Sequence, residues 1–325
     1  MAELPSAAWL AEITRFEPPK QIAPPPDWDE AVQVLARHGL APIASYNLTF
    51  KMPLTDAPQE VKDILHGFMQ GTANDNVFKF VTLKGMVGDL AGVQMIVVGG
   101  GSLTETLYPH IAFRPVPDIE LLVRPADLPQ VIEAMKEERF FEVELDEPDP
   151  EAPAAVLYND RFFCRLYTSI LPNEQELPGL FERALPARAL GPSISRLAAE
   201  DALVVHALSL ARRGFVVPLI QLVDLREMVL GNSPLAFRGG PGAPIDPAVV
   251  KERARAFGAE RALWAAMELL VHYHPSVEAQ ARAVQPEIGF AARTLLRTAV
   301  VEPAFDFTRE RQLKAVGKLQ QLLFG

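Results

Sequence analysis

Residues 97–123 read VVGGGSLTETLYPHIAFRPVPDIELLV, and the reading of this stretch decides the fold. Val93, Met95, Ile96, Val97 and Val98 make a short apolar run ended by glycine, the pattern of a buried strand. Gly99, Gly100, Gly101 and Ser102 follow as a turn. Backbone can approach a ligand closely there, because glycine has no Cβ. The same four residues also suit a plain tight turn. A helix is predicted from Leu103 to Leu107, and the amides at a helix N-terminus favour a phosphate. After Pro117, Asp118–Val123 reads as a second strand. Side chains alternate across a strand, so Asp118 and Glu120 share one face while Ile119 and Leu121 share the other. Two acids on one face repel each other. They belong either to a solvated edge or to a site where a cation sits between them, and magnesium, with its preference for hard oxygen ligands, is the expected cation.

Outward towards the N-terminus, the pattern is helical. A short helix around Trp9 and Ile13 precedes a proline-rich arm, PPKQIAPPP. Asp27 followed by Glu30 reads as a capping box for a helix through Val32 and Leu35 that stops at Gly39. Pro58 opens a further helix through Val61, Ile64, Leu65 and Met69. Asn74 or Asn76 is expected to cap another, ending near Gly92. Outward towards the C-terminus, a helix containing Leu128, Val131, Ile132 and Met135 leads to an alternating strand at 141–145, an acidic turn at 146–153 and a hairpin. The hairpin strands are 154–158 and 162–170, joined at Asn159-Asp160-Arg161. A short helix is predicted at 176–184, and helices from Leu197 to Gly214, at 219–230, 246–257, 259–272, 276–284, 286–300 and 308–323. The loop GGPGAP at 239–244 reads as flexible. The expected division is an N-terminal arm and helical region at 1–92, an α/β core at 93–188 and a C-terminal helical domain at 189–325.

With 325 residues the chain exceeds one typical domain, and 49% hydrophobic residues supply an ample core. A net charge of -10 argues against a general nucleic-acid binder, which needs a basic footprint against phosphates. The single cysteine, Cys164, excludes an internal disulfide framework, so the cytoplasm is the expected compartment. The start of the chain lacks the basic and apolar regions of a signal peptide. No apolar stretch reaches the length of a membrane span; the best candidate, 202–223, is broken by His206, Arg212, Arg213 and Gln221.

The order of these motifs resembles the uncharacterised nucleotidyltransferase family of the DNA polymerase β-like superfamily. The resemblance runs from about Trp28 to about Met228. DWDEAVQVLARHGLAP is similar to the family's leading helix, and the core match is the glycine after the first strand, Leu107-Tyr108-Pro109, Arg114 and Asp118-Ile119-Glu120-Leu121-Leu122-Val123. LAAEDALVVH at 197–206 and Leu222-Val223-Asp224-Leu225 resemble its helical second half. The resemblance implies an α+β fold with a small mixed β-sheet, helices on one side, and flanking N-terminal and C-terminal helical regions. It implies transfer of a nucleoside monophosphate from a nucleoside triphosphate to a small-molecule or protein acceptor. Asp118 and Glu120 would be the catalytic, magnesium-binding acids. Gly100, Gly101, Ser102 and Arg114 would bind the nucleotide. Such chemistry rests on positioning and charge neutralisation, with little covalent work for the protein.

Two departures from the family pattern stand out. The family's lysine before the turn glycine is replaced by Gly99. Where the superfamily places a third carboxylate, this chain has Arg165. Phe163, Arg165 and Tyr167 share a strand face, so Arg165 is placed to point at Asp118 and Glu120 and to neutralise them by an ion pair. Either the site is degenerate, a nucleotide-binding or partner-binding module without chemistry, or it uses one metal, or it draws on Glu142, Glu144 or Asp160. A third reading, a toxin-like or antitoxin-like member that modifies a protein or a transfer RNA, needs a local basic groove. Other signals have bland readings. Arg114 suits a structural ion pair as well as a phosphate. His206 and Cys164 read as core residues. Asp224 reads as half of a buried ion pair with Arg226 or Arg212. His272 and His274 lack the partners of a metal site.

Overall fold

The computed structural model describes residues 5–87, 90, 92–144, 151–187, 190, 191, 193–231, 245–301, 319, 323 and 324. The loop expected at 239–244 and most of the helix expected at 308–323 lie outside these residues, as does the turn at 146–150.

The centre of the molecule is a mixed sheet of seven strands in the order β3-β4-β5-β2-β1-β7-β6. Strand β1 (Met95–Val98) is wholly buried, and so is β2 (Ile119–Val123) apart from half-buried Glu120. They pair antiparallel, with Val98 opposite Glu120. Strand β2 also pairs in parallel with β5 (Phe163–Tyr167), with Glu120 opposite Arg165. Strand β4 (Ala155–Tyr158) completes the expected hairpin with β5. Asn159 Oδ1 accepts bonds from the amides of Arg161 and Phe162 at 3.3 and 3.2 Å, and Asp160 takes a left-handed φ of 67°. At the edges lie β3 (Phe141–Glu142), shorter than the alternation at 141–145 predicts, and β6 (Leu185–Pro186) beside β7 (Ile194–Arg196).

The period-2 pattern sorts the sheet's side chains into two cores. Met95, Val97, Ile119, Leu121, Cys164 and Leu166 face Phe80, Leu83, Val131 and Met135. The last four belong to α4 (Gln59–Val87) and α6 (Leu128–Glu137). On the other face Ile96, Val98, Leu122 and Tyr167 join the larger core, built with the flanking helical regions. Asp118, Glu120 and Arg165 share that second face by alternation. After the short helix α7 (Leu177–Arg183), the C-terminal half covers it with α8 (Ala199–Arg212), α9 (Ile220–Leu230), α10 (Pro247–Ala256) and α11 (Glu260–Tyr273).

The N-terminal residues pack onto the same body. Helix α1 (Ala7–Ile13) is followed by the proline-rich arm, which Trp9 fastens by donating Nε1–H to Ala23 O at 2.9 Å. Helix α2 (Trp28–Arg37) starts as expected, with Asp27 Oδ1 accepting from the Asp29 and Glu30 amides. Helix α3 (Ala41–Tyr46) continues into a π-helical turn at Asn47–Lys51. Asn47 Nδ2 donates to Ile13 O and Arg15 O, which ties α1 to this turn.

Two local readings are corrected. The expected pair of helices at 58–92 is one helix, α4, of 29 residues. Asn76 does not cap a helix. Its side chain leaves the helix to hold the loop before β2, donating to Ile111 O and Arg114 O and accepting from the Val116 amide. The glycine run is likewise not a turn ahead of a helix: it is the first turn of α5 (Gly99–Thr106). Among the described residues, no helix is long and apolar enough to cross a membrane.

Candidate functional site

Strand β1 ends against α5, and the change of direction is made at Gly99, whose φ is +56°. An L side chain is costly in that left-handed region. Space enforces the same choice, because a Cβ on Gly99 would fall on the Glu120 carboxylate and one on Gly100 on the Arg114 guanidinium. A Cβ on Gly101 would stand 3.0 Å from Val97 Cγ2. The three glycines thus have different neighbours: Gly99 faces the acid, Gly100 the arginine and Gly101 the sheet.

A small cleft opens beside Gly99. Gly99, Ser102 and Leu103 form one wall, Glu120 and Tyr167 of the sheet its floor, and His206, Ser209 and Arg212 of α8 the facing wall, with Glu151 also lining it. Of the residues assigned to nucleotide binding from the sequence, Ser102 lines this cleft. Gly100, Gly101 and Arg114 do not line it, and Gly99, which was not assigned, does.

The acids are met by arginines. Arg165 Nε donates to Asp118 Oδ2 at 2.9 Å, as its strand face predicts. Glu120 Oε1 lies 3.8 Å from Arg213 Nη2, and the same nitrogen lies 2.6 Å from Glu151 Oε2. Burial pushes the Glu120 carboxyl up to about 7. The negative charge of Glu151 adds to the shift, and Arg213 and Arg114 oppose it. Glu120 is therefore an acid poised to titrate near neutral pH. None of Glu142, Glu144 and Asp160 lines the cleft. Glu142 is exposed and 3.8 Å from Lys136, and the acid that lines the cleft beside Glu120 is Glu151. Among the described residues, no group of three or more His, Cys, Asp or Glu side chains stands ready to hold a metal ion.

Arg114 takes the ion-pair role. Its Nε and Nη2 bond Asp224 at 2.7–3.1 Å, Nη1 bonds Pro115 O, and Tyr108 donates its hydroxyl to Asp224 Oδ1 at 2.6 Å. The partners expected for Asp224, Arg226 or Arg212, are corrected to Arg114 and Tyr108. Arg226 instead bonds Glu227 Oε1, Ala11 O and Thr14 O. His206 pairs with Gln221 O at 2.9 Å, the satisfied core position expected, while also bordering the cleft. Cys164 is buried and its thiol is pushed up by burial, so it is no nucleophile.

Sequence reasoning missed Glu151, Arg212 and Arg213 as neighbours of the site. The only sequence signals were the acidic run before the hairpin and the Arg-Arg pair closing α8, and neither carries a spacing that ties it to Asp118.

A search of curated proteins finds no match. The sequence profile of the uncharacterised nucleotidyltransferases matches residues 24–275, from the arm before α2 to just beyond α11. That span contains the glycine start of α5, the acids of β2 and the helices that close the cleft. The chain belongs to the uncharacterised nucleotidyltransferase family.

Proposed function

We propose that this nucleotidyltransferase-like protein transfers a nucleoside monophosphate from a nucleoside triphosphate to a small-molecule or protein acceptor. The cleft is the site, with Glu120 lining it and Asp118, outside the lining, two residues before it on the same strand face. The observation that carries this reading is the close approach of Gly99 and Glu120, which sets the start of α5 and a half-buried carboxylate against one another in an open cleft. Ser102 and the amides of the first α5 turn would contact phosphates. Arg114, locked to Asp224, would hold that turn from behind by its contact at Gly100.

Asp118 and Glu120 suit magnesium in donor chemistry. They are hard oxygen ligands, and the partial burial of Glu120 disfavours its charge, which a divalent cation would relieve. Bound there, the metal would neutralise charge on the phosphates and on the leaving pyrophosphate. The protein's own part is to orient the donor along α5 and to limit water between β2 and α8.

A second reading has its own observation. Arg165 stands opposite Glu120 in register and bonds Asp118, which favours a metal-free nucleotide-binding or partner-binding module. One measurement separates the two. Melting temperature is followed with each nucleoside triphosphate, with and without magnesium, because a ligand of the native state raises it by mass action. Transfer chemistry expects a rise that needs magnesium. A rise without magnesium favours the second reading, and no rise with any triphosphate sinks the first.

A further inference from the structure

We propose that His206 reads the base of the nucleotide donor: its Nδ1 accepts a hydrogen bond from an exocyclic amine on a base lodged in the apolar half of the cleft. The inference rests on the reading of the cleft as a nucleoside triphosphate site. His206 belongs to α8 and lines the cleft, yet it is only 7% exposed. Its contact with Gln221 O at 2.9 Å satisfies one ring nitrogen. A carbonyl oxygen only accepts, so Nε2 carries the proton. Burial holds the imidazole below its ordinary 6.5, so at neutral pH the ring is uncharged and Nδ1 is a bare acceptor. Nδ1 has no hydrogen-bond partner among the described residues and is not sealed from solvent. The cleft is where it opens. A nearly buried acceptor of this kind is satisfied by a donor that a ligand brings.

The surroundings decide which part of the ligand brings it. Ala202, Val205, His206 and Ser209 recur at steps of three and four residues, so they share one face of α8. With Ile170 and Leu197 they make a largely apolar wall. Phosphates at the start of α5 leave the base as the flat, apolar end of the donor. Laid on this wall, a base buries its ring and offers its edge to Nδ1. An exocyclic amine there supplies an N–H, whereas a carbonyl oxygen in the same place sets one acceptor against another. His206 is therefore a specificity-determining residue.

The test is the affinity of the protein, with magnesium present, for ATP, GTP and CTP, each set against the analogue that lacks the exocyclic amine: purine riboside triphosphate, inosine triphosphate and 2-pyrimidinone riboside triphosphate. Calorimetry reads the affinities in wild type and in His206→Phe, which keeps a ring and loses the acceptor. Circular dichroism checks the fold, and His206→Leu stands in if the phenylalanine variant does not fold. The expected result is a preference of about three- to tenfold for the amino base in at least one pair, the size of one hydrogen bond, with the variant binding both members equally. Equal affinity within every pair in wild type, or a preference that survives the substitution, overturns the role of His206 and leaves the reading of the cleft standing. A folded variant that binds neither member overturns that role too, because the analogue makes no bond to Nδ1. Binding of no triphosphate to wild type overturns both.

Discussion

His274 closes α11 in a buried position between Arg226 and Arg15, and its Nε2 has no hydrogen-bond partner among the described residues. Burial first, and then the two guanidinium charges, push its imidazole down to about 2 from an ordinary 6.5. The folded state therefore holds a neutral ring that the unfolded chain protonates below 6.5. Stability from this residue is complete above pH 6.5 and is lost as pH falls from there towards 2, at about 1.4 kcal/mol per pH unit. Glu120 works in the opposite sense. Its carboxyl is raised to about 7, so its contribution is present below about 4.5 and fades as pH rises through neutrality. Urea midpoints of wild type and His274→Phe at pH 7.5, 6 and 5 isolate the histidine. The variant is expected to lose less stability than wild type on acidification, and parallel acid limbs would show that His274 charges in the native state.

At the scale of elements, α4 is the least expected piece of the molecule. Helical periodicity is clear at 59–69 and again at 78–86, but Gly67, Gly71, Asn74 and Asn76 between them read as breaks. The helix runs through them because its tertiary contacts decide the matter: Leu65 and Phe80 are buried on either side, and Asn76 spends its side chain on the loop at 111–116. A Cβ at Gly67 or Gly71 would meet nothing within 4 Å. Replacing both with alanine is expected to stabilise the fold by about 1–2 kcal/mol, since each exposed helical glycine costs about 0.5–1 kcal/mol against alanine. Denaturant unfolding would read the gain, and its absence would argue against a continuous helix. The central strands are legible from the sequence for a different reason. Apolar runs and strict alternation place Ile119 and Leu121 on one face, and Glu120 with Arg165 on the other, before any tertiary contact is known. Glu151 and Arg213 are not legible, because a left-handed residue brings Glu151 to the cleft and a helix C-cap brings Arg213 to Glu120 and Glu151, and nothing in their local sequence states where those segments end up.

At the scale of the whole molecule, a buried junction joins the loop before β2 to α9. The largest core cluster draws on residues from Leu10 to Leu323, so arm, sheet and C-terminal helices share apolar packing. One polar tie within it is Asp224 of α9, fully buried and held by Arg114 and Tyr108 from the loop between α5 and β2. That loop is itself fixed to α4 by Asn76, so α4, the glycine start of α5 and α9 meet at one place. Removing one partner from such a pair leaves a charge without compensation in a dry interior, which costs more than the intact pair contributes. Asp224→Ala is expected to cost about 3–5 kcal/mol, and Tyr108→Phe, which removes one hydrogen bond and no charge, about 1–2 kcal/mol. Calorimetry checks the magnitudes and their form. A shared core predicts that Asp224→Ala lowers a single transition, with the C-terminal helices and the sheet unfolding together. Two separated transitions would mean that the Asp224 junction, and not the apolar packing around it, makes the sheet and the C-terminal helices one cooperative unit.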